Sequence, residues 1–298
     1  MKVIECSNLI KNFGRKKALR QISFEIEGNT ITGIVGRNGA GKTTLLKLIA
    51  GFLYKTSGEL TVFAENPFNS LLVSVNSVYV EQDMNLPEAL NLQEILEEAG
   101  RFYPNWDYEL ADRLVDYFSL DKGAYYSQLS KGMSSTFNSI IGICSRSSLT
   151  IFDEPTNGMD SIVRKDFYRA LLKDYIAHPR TILISSHQLD EIENLIEDIL
   201  LVEDGQTFLH CPIAELKQWA IGLRGNNDHL GEIVKHREIL YKQSIGMNQS
   251  YVVIKDELTE QEKNTHRNAG IELFSVAASD LCIYLTDPHK GGIDDAFS

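Results

Sequence analysis

Gly36-Arg37-Asn38-Gly39-Ala40-Gly41-Lys42-Thr43 follows the spacing G-x-x-x-x-G-K-[ST], and this stretch decides the fold. Its glycines let the backbone curl until several N–H groups face one phosphate. Residues 30–35 ahead of it read as a buried strand, and residues 42–50 behind it read as a helix. Strand, glycine loop and helix form the opening of an α/β unit. The helix start adds its positive dipole end. Lys42 would neutralise the β- and γ-phosphate oxygens, and the Thr43 hydroxyl would hold Mg²⁺. The other predicted nucleotide contacts are Gly36, Arg37, Asn38, Gly39, Ala40, Gly41 and Thr44. Average composition makes a chance match roughly a one-per-cent event in a chain this long.

Further along, the strand-like run Leu149-Thr150-Ile151-Phe152 leads straight into Asp153-Glu154-Pro155. A buried strand ending in two acids places them at the carboxyl edge of a sheet, where ligands bind. Asp153 is the expected Mg²⁺ holder and Glu154 the expected general base for an attacking water. Strand side chains alternate, so adjacent acids need not share a role.

The rest of the chain fits around this core. Residues 3–27 alternate apolar and polar around the turn signal Asn12-Phe13-Gly14, which predicts short antiparallel strands. Residues 85–127 are mostly helical in pattern. Strand-like runs return at 181–184 and 199–202. After about residue 210 the register changes. Tyr251-Val252-Val253-Ile254 and Leu281-Cys282-Ile283-Tyr284-Leu285 read as strands, and residues 257–268 as a polar helix. The expected division is residues 1–210, with a helical insertion at about 83–146, and a small α/β appendage at 211–298.

Composition excludes other classes. The formal charge of −12 argues against a nucleic-acid surface, which needs clustered Lys and Arg. Cys6, Cys144, Cys211 and Cys282 form no CxxC pair, and they read as reduced thiols without a metal or disulfide framework. The first residues, Met1-Lys2-Val3-Ile4-Glu5, lack the apolar run of a signal peptide. No apolar run approaches the roughly 20 residues that span a bilayer.

With its motifs in this order, the chain over residues 3–210 resembles the nucleotide-binding domain of ABC transporters. The resemblance implies a RecA-like P-loop core with an antiparallel β subdomain and a helical insertion. It implies ATP and Mg²⁺ as ligands. Phe13 falls where the family stacks an aromatic on adenine; tyrosine is commoner there, and phenylalanine keeps the π-face. Gln82 falls in the Q-loop and would reach Mg²⁺ or the lytic water. Asp160 matches the D-loop aspartate. His187 matches the switch histidine at the γ-phosphate.

Leu129-Ser130-Lys131-Gly132-Met133 stands where the family has Leu-Ser-Gly-Gly-Gln. Ser130 and Gly132 are kept, and these cap a helix start that must approach phosphate closely. In the family that phosphate sits on the opposite subunit, so two ATP molecules are sandwiched head to tail by two chains, alike or different. Lys131 could add charge near the γ-phosphate, and Met133 loses polar reach. The variant resembles ABC-2-type exporters of Gram-positive bacteria, some tied to antimicrobial-peptide resistance. That implies a separate transmembrane permease and a place on the cytoplasmic face of the membrane. Two alternatives stay open. One is a weakly hydrolysing partner in a heterodimeric transporter; the other is a soluble ABC ATPase with no transport role. In residues 211–298, His229, His236, His266 and His289 are scattered and read as solvated surface; dimer stabilisation is the expected role of that segment.

Overall fold

The computed structural model describes residues 1–256 and 258–286. Two compact units divide at residue 210: Met1–His210 and Cys211–Ser298.

The first unit opens with a hairpin, β1 (Lys2–Phe13) and β2 (Lys16–Glu27), whose strands pair from Lys2↔Glu27 to Phe13↔Lys16. These are long strands of 12 residues each, not the short ones that the alternation suggests. Next come β3 (Ile31–Val35), α1 (Lys42–Ile49), β4 (Ser57–Val62), α2 (Leu71–Asn76) and β5 (Ser77–Glu81). The helical stretch holds α3 (Leu92–Phe102), α4 (Tyr108–Tyr117), a 3₁₀ turn (Tyr126–Gln128) and α5 (Lys131–Cys144). The core then resumes with β6 (Leu149–Asp153), α6 (Ser161–Ala177), β7 (Thr181–Ser186), α7 (Leu189–Ile192), β8 (Asp198–Glu203) and β9 (Gln206–Pro212).

Two sheets result. One is three-stranded and antiparallel, ordered β2-β1-β4. The other has six strands ordered β5-β6-β7-β3-β8-β9, with the ladder from β5 to β8 parallel. Every residue of β3, β6 and β7 is buried, as parallel strands covered on both faces require. The register aligns Glu81 with Asp153, Asp153 with Ser185, and Ser186 with Val35. The carboxyl ends of four strands therefore share one edge. Apolar residues of the antiparallel sheet, α1 and the central sheet form one core that includes Leu9, Leu19, Leu45, Ile151 and Leu183. A second core gathers Trp106, Val115, Phe137 and Ile141 from the helical stretch. Asn91, Asp107 and Ser130 cap α3, α4 and α5 by accepting main-chain N–H bonds. The α/β core with an antiparallel sheet and a helical segment is thus the expected one.

The second unit contains α8 (Ile213–Leu216), β10 (Ala220–Asn226), α9 (Asn227–Val234), β11 (Ile239–Ser244), β12 (Gln249–Lys255), α10 (Glu260–Asn268), β13 (Glu272–Ser275) and α11 (Ala278–Thr286). Its sheet is ordered β11-β12-β10-β13 with every pair antiparallel. A βαββαβ succession in this order is the ferredoxin-like arrangement. The core holds Leu223, Leu230, Val252, Ile254 and Ile271.

One expectation is corrected here. Leu281-Cys282-Ile283-Tyr284-Leu285 lies in helix α11, not in a strand. A five-residue apolar run cannot separate the two by periodicity. Burial at Ala278, Leu281 and Cys282, with Ile283 exposed, has helical spacing. Glu257, where the polar helix was expected to start, and His289 lie outside the described residues. Among the described residues, no helix is long and apolar enough to cross a membrane.

Candidate nucleotide site

The loop from Gly36 to Gly41 links β3, in the middle of the sheet, to α1. Gly41 takes φ +109° as the N-cap of α1, and a Cβ there would meet the Ala18 carbonyl oxygen at 2.9 Å. No other residue fits both demands. The loop opens on a cleft of about 860 Å³ lined by Asn38, Gly39, Gly41, Lys42, Thr43 and Thr44. Glu154, Asn157 and His187 line it too, as do Asp204 and Gly205 after β8. The hairpin supplies a basic wall of Arg15, Lys16, Lys17 and Arg20. Sequence reading missed that wall. The run Arg15-Lys16-Lys17 beside a phosphate motif was its available signal.

Lys42 is only 6% exposed. Its ammonium donates to the Gly36 carbonyl at 2.8 Å and pairs with Glu154 Oε1 at 3.2 Å. The other oxygen of Glu154 lies 2.6 Å from His187 Nδ1. Glu154 adopts φ +50°, a left-handed conformation that costs a non-glycine residue about 1–3 kcal/mol. Its main-chain N–H donates to the Ser185 hydroxyl at 2.9 Å, which holds that turn. The same hydroxyl donates to Asp153 Oδ1 at 2.7 Å. The Tyr79 hydroxyl donates to Asp153 Oδ2 at 2.9 Å. Burial, then the neighbouring Asp153 carboxylate, pushes the Tyr79 hydroxyl pKa well up, so it stays a donor. Tyr79 and Ser185 are site residues that no motif announced.

Asp153 accepts these two hydrogen bonds and still has lone pairs free. The loop N–H groups, Lys42, Thr43 and the fixed Asp153 carboxylate at the end of β6 are a donor set that suits a triphosphate with Mg²⁺.

Other expected residues stand elsewhere in the chain. Gln82 follows β5 directly, and its carbonyl oxygen accepts from Asn138 Nδ2 at 3.1 Å. Phe13 ends β1, is 46% exposed, and has Lys11 Nζ 4.8 Å from its ring centre. Neither residue lines the cleft among the described residues. Ser130, Gly132 and Asp160 border a separate small hollow with Met133 and Gly158. Ser130 accepts from Met133 N at 3.3 Å, and Lys131 begins α5. Asp160 Oδ1 accepts from the Ile162 and Val163 N–H groups at 2.9 Å each, capping α6. One chain therefore joins the phosphate loop to Glu154 and His187, and holds the signature residues at a second place.

The ABC transporter family profile matches residues 19–157. The bacitracin transport ATP-binding protein BcrA of Enterococcus faecalis is 31% identical over 219 residues, covering 72% of this chain and 70% of that protein. The ABC transporter ATP-binding protein YtrB of Bacillus subtilis is 28% identical over 216 residues, covering 72% and 74%. Among solved structures, the ATP-binding subunit of an ABC transporter superposes with a TM-score of 0.64 at 21% identity, over 72% of this chain and 92% of that one. A dimeric bacterial ABC transporter cassette superposes with a TM-score of 0.62 at 20% identity, over 70% and 98%.

Proposed function

The chain belongs to the ABC transporter ATP-binding proteins, and on that premise we propose that it is the ATPase subunit of an exporter, closing head to tail with a second ATPase chain under a separate membrane-spanning chain. The observation that carries the chemistry is Glu154 held between Lys42 and His187. The likeness to bacitracin transport ATP-binding proteins supports export of a peptide-type cargo. The cytoplasmic face of the membrane is the place this reading assigns.

The steps follow from the residues. The Gly36–Thr43 loop and Lys42 bind the triphosphate, with the basic hairpin wall alongside. Thr43, Asp153 and Gln82 would hold Mg²⁺, which would supply positive charge against the phosphate oxygens. Ser185 and Tyr79 fix Asp153 in place. Glu154 takes the proton of the attacking water, and His187 orients that carboxylate and contacts the γ-phosphate. Ser130, Lys131 and Gly132 of one chain close over the phosphate on the other, with Asp160 beside them. Phe13 offers its exposed ring to the adenine. Loss of the γ-phosphate removes the contact that distinguishes the closed state, and the dimer opens. The unit at 211–298 is an accessory domain that stabilises the dimer.

A complementation experiment tests the shared site. Lys42→Ala disables the phosphate loop. Ser130→Asp keeps a good N-cap and puts a negative charge against phosphate. Each variant alone should lack ATPase activity, and their mixture should recover it through the one intact composite site. A mixture as inactive as its parts would remove the head-to-tail arrangement.

A further inference from the structure

Asn138 lies on α5, eight residues beyond the Ser130 cap, and is fully buried. Its side-chain amide nitrogen lies 3.0 Å from the Glu81 carbonyl oxygen, 3.1 Å from the Gln82 carbonyl oxygen and 2.9 Å from the Tyr126 hydroxyl. Carbonyl oxygens only accept, so the NH₂ group must face them. The Tyr126 hydroxyl can accept from Asn138 while donating to the Gln82 carbonyl, 3.5 Å away. The Asn138 carbonyl oxygen is buried without a hydrogen-bond partner among the described residues. Its helix neighbours Phe137, Ile140 and Ile141 are buried apolar side chains. An unpaired buried amide oxygen is unfavourable, so packing alone favours an apolar side chain here. The gain from asparagine is the grip on the start of the 82 loop.

We propose that Asn138, assisted by Tyr126, is a positioning residue that ties Gln82 to the helix beginning at Ser130. Movement of the phosphate-facing end of that helix then shifts Gln82 in the same chain. A straight helix carries the displacement across about 12 Å, at 1.5 Å per residue. The proposal rests on the reading of Gln82 as a residue that serves Mg²⁺ or the lytic water.

A double-mutant cycle on the full chain tests it. Asn138→Leu keeps the branched outline and heavy-atom count, and removes the donors. We expect its kcat to fall about tenfold with KM for ATP unchanged, as for a displaced catalytic group. In the Gln82→Ala background the same change should cost no further activity, because the two act as one unit. Tyr126→Phe serves as a second, milder variant and should show a smaller loss with the same dependence on Gln82. A melting-temperature change should be equal in both backgrounds, which separates folding from positioning. Losses that multiply in the double variant, or a wild-type kcat in Asn138→Leu and Tyr126→Phe, would overturn the role of Asn138. A wild-type kcat in Gln82→Ala would instead overturn the reading of Gln82, and the proposal with it.

Discussion

Lys42 and Glu154 form an ion pair in which Nζ lies 3.2 Å from Oε1, although one stands at the end of the phosphate loop and the other follows a strand more than a hundred residues later. Lys42 is buried, so its charge requires a partner, and the Glu154 carboxylate is one. A γ-phosphate that takes up Lys42 competes with that carboxylate. Glu154→Gln keeps the shape and removes the competitor. Binding of labelled Mg-ATP to this variant should tighten by roughly threefold to tenfold, equivalent to about 0.7–1.4 kcal/mol. Weaker binding, measured by fluorescence anisotropy, would mean the pair assists the nucleotide.

Ser185 serves both acids at once, accepting from the Glu154 N–H and donating to Asp153. Ser185→Ala leaves both groups short of a partner at a buried site, a loss of about 1–3 kcal/mol. The melting temperature should fall and kcat should fall at least tenfold, since the turn at φ +50° loses its tether. Ser185→Thr, which keeps the hydroxyl, should recover part of both. Steady-state ATPase assays and thermal melts check this.

Gly132 faces the backbone of the segment before Asp160. A Cβ on Gly132 would stand 2.5 Å from the Gly158 carbonyl oxygen. The Ser135 hydroxyl donates to the Asn157 carbonyl at 2.7 Å, so α5 and the 157–160 segment are held together. Gly132→Ala must push them apart, at about 1–3 kcal/mol. The expected result is a lower melting temperature with ATPase activity reduced in proportion to dimer formation, read by sedimentation in Mg-ATP. Undiminished stability would show that the segment can yield.

Arg180 and Asp174 make a buried pair at 2.7 Å, each 5% exposed or less at the side chain. Burial pulls the Arg180 pKa down while Asp174 holds it up, and the guanidinium also donates to the Ile143 carbonyl. Asp174→Asn leaves a buried cation without its counter-charge and should destabilise the fold by about 3–5 kcal/mol. Nucleotide affinity of the folded fraction should not change, because neither residue lines the cleft. Denaturant titration checks the stability.

What the sequence made legible was local. The phosphate loop sits within eight consecutive residues, and Asp153 and Glu154 directly follow a strand-like run, so spacing alone made them candidates. Tyr79 and Ser185 were not legible, because their contacts arise only when strands pair, and Asn138 was not, because its contacts arise only when α5 packs against the end of β5. Ser185 reaches Asp153 across 32 residues and Tyr79 across 74. The basic hairpin wall was hidden for the same reason: Arg15 and Lys17 face the loop only once β1 and β2 are closed. In the second unit, β10 and β13 lack a strong alternating pattern, and Leu281–Leu285 mimicked a strand until burial at Ala278 and Leu281 gave its helical period.

The proposed role of Glu154 as the base for ATP hydrolysis rests on its place between Lys42 and His187. The direct measurement is the rate of phosphate release from Mg-ATP by wild-type protein and by Glu154→Gln, with the oligomeric state followed by sedimentation. The expected rate is at least about 100-fold lower in the variant, together with a dimer that persists as long as ATP is present. Phosphate release at the wild-type rate from Glu154→Gln would contradict that role.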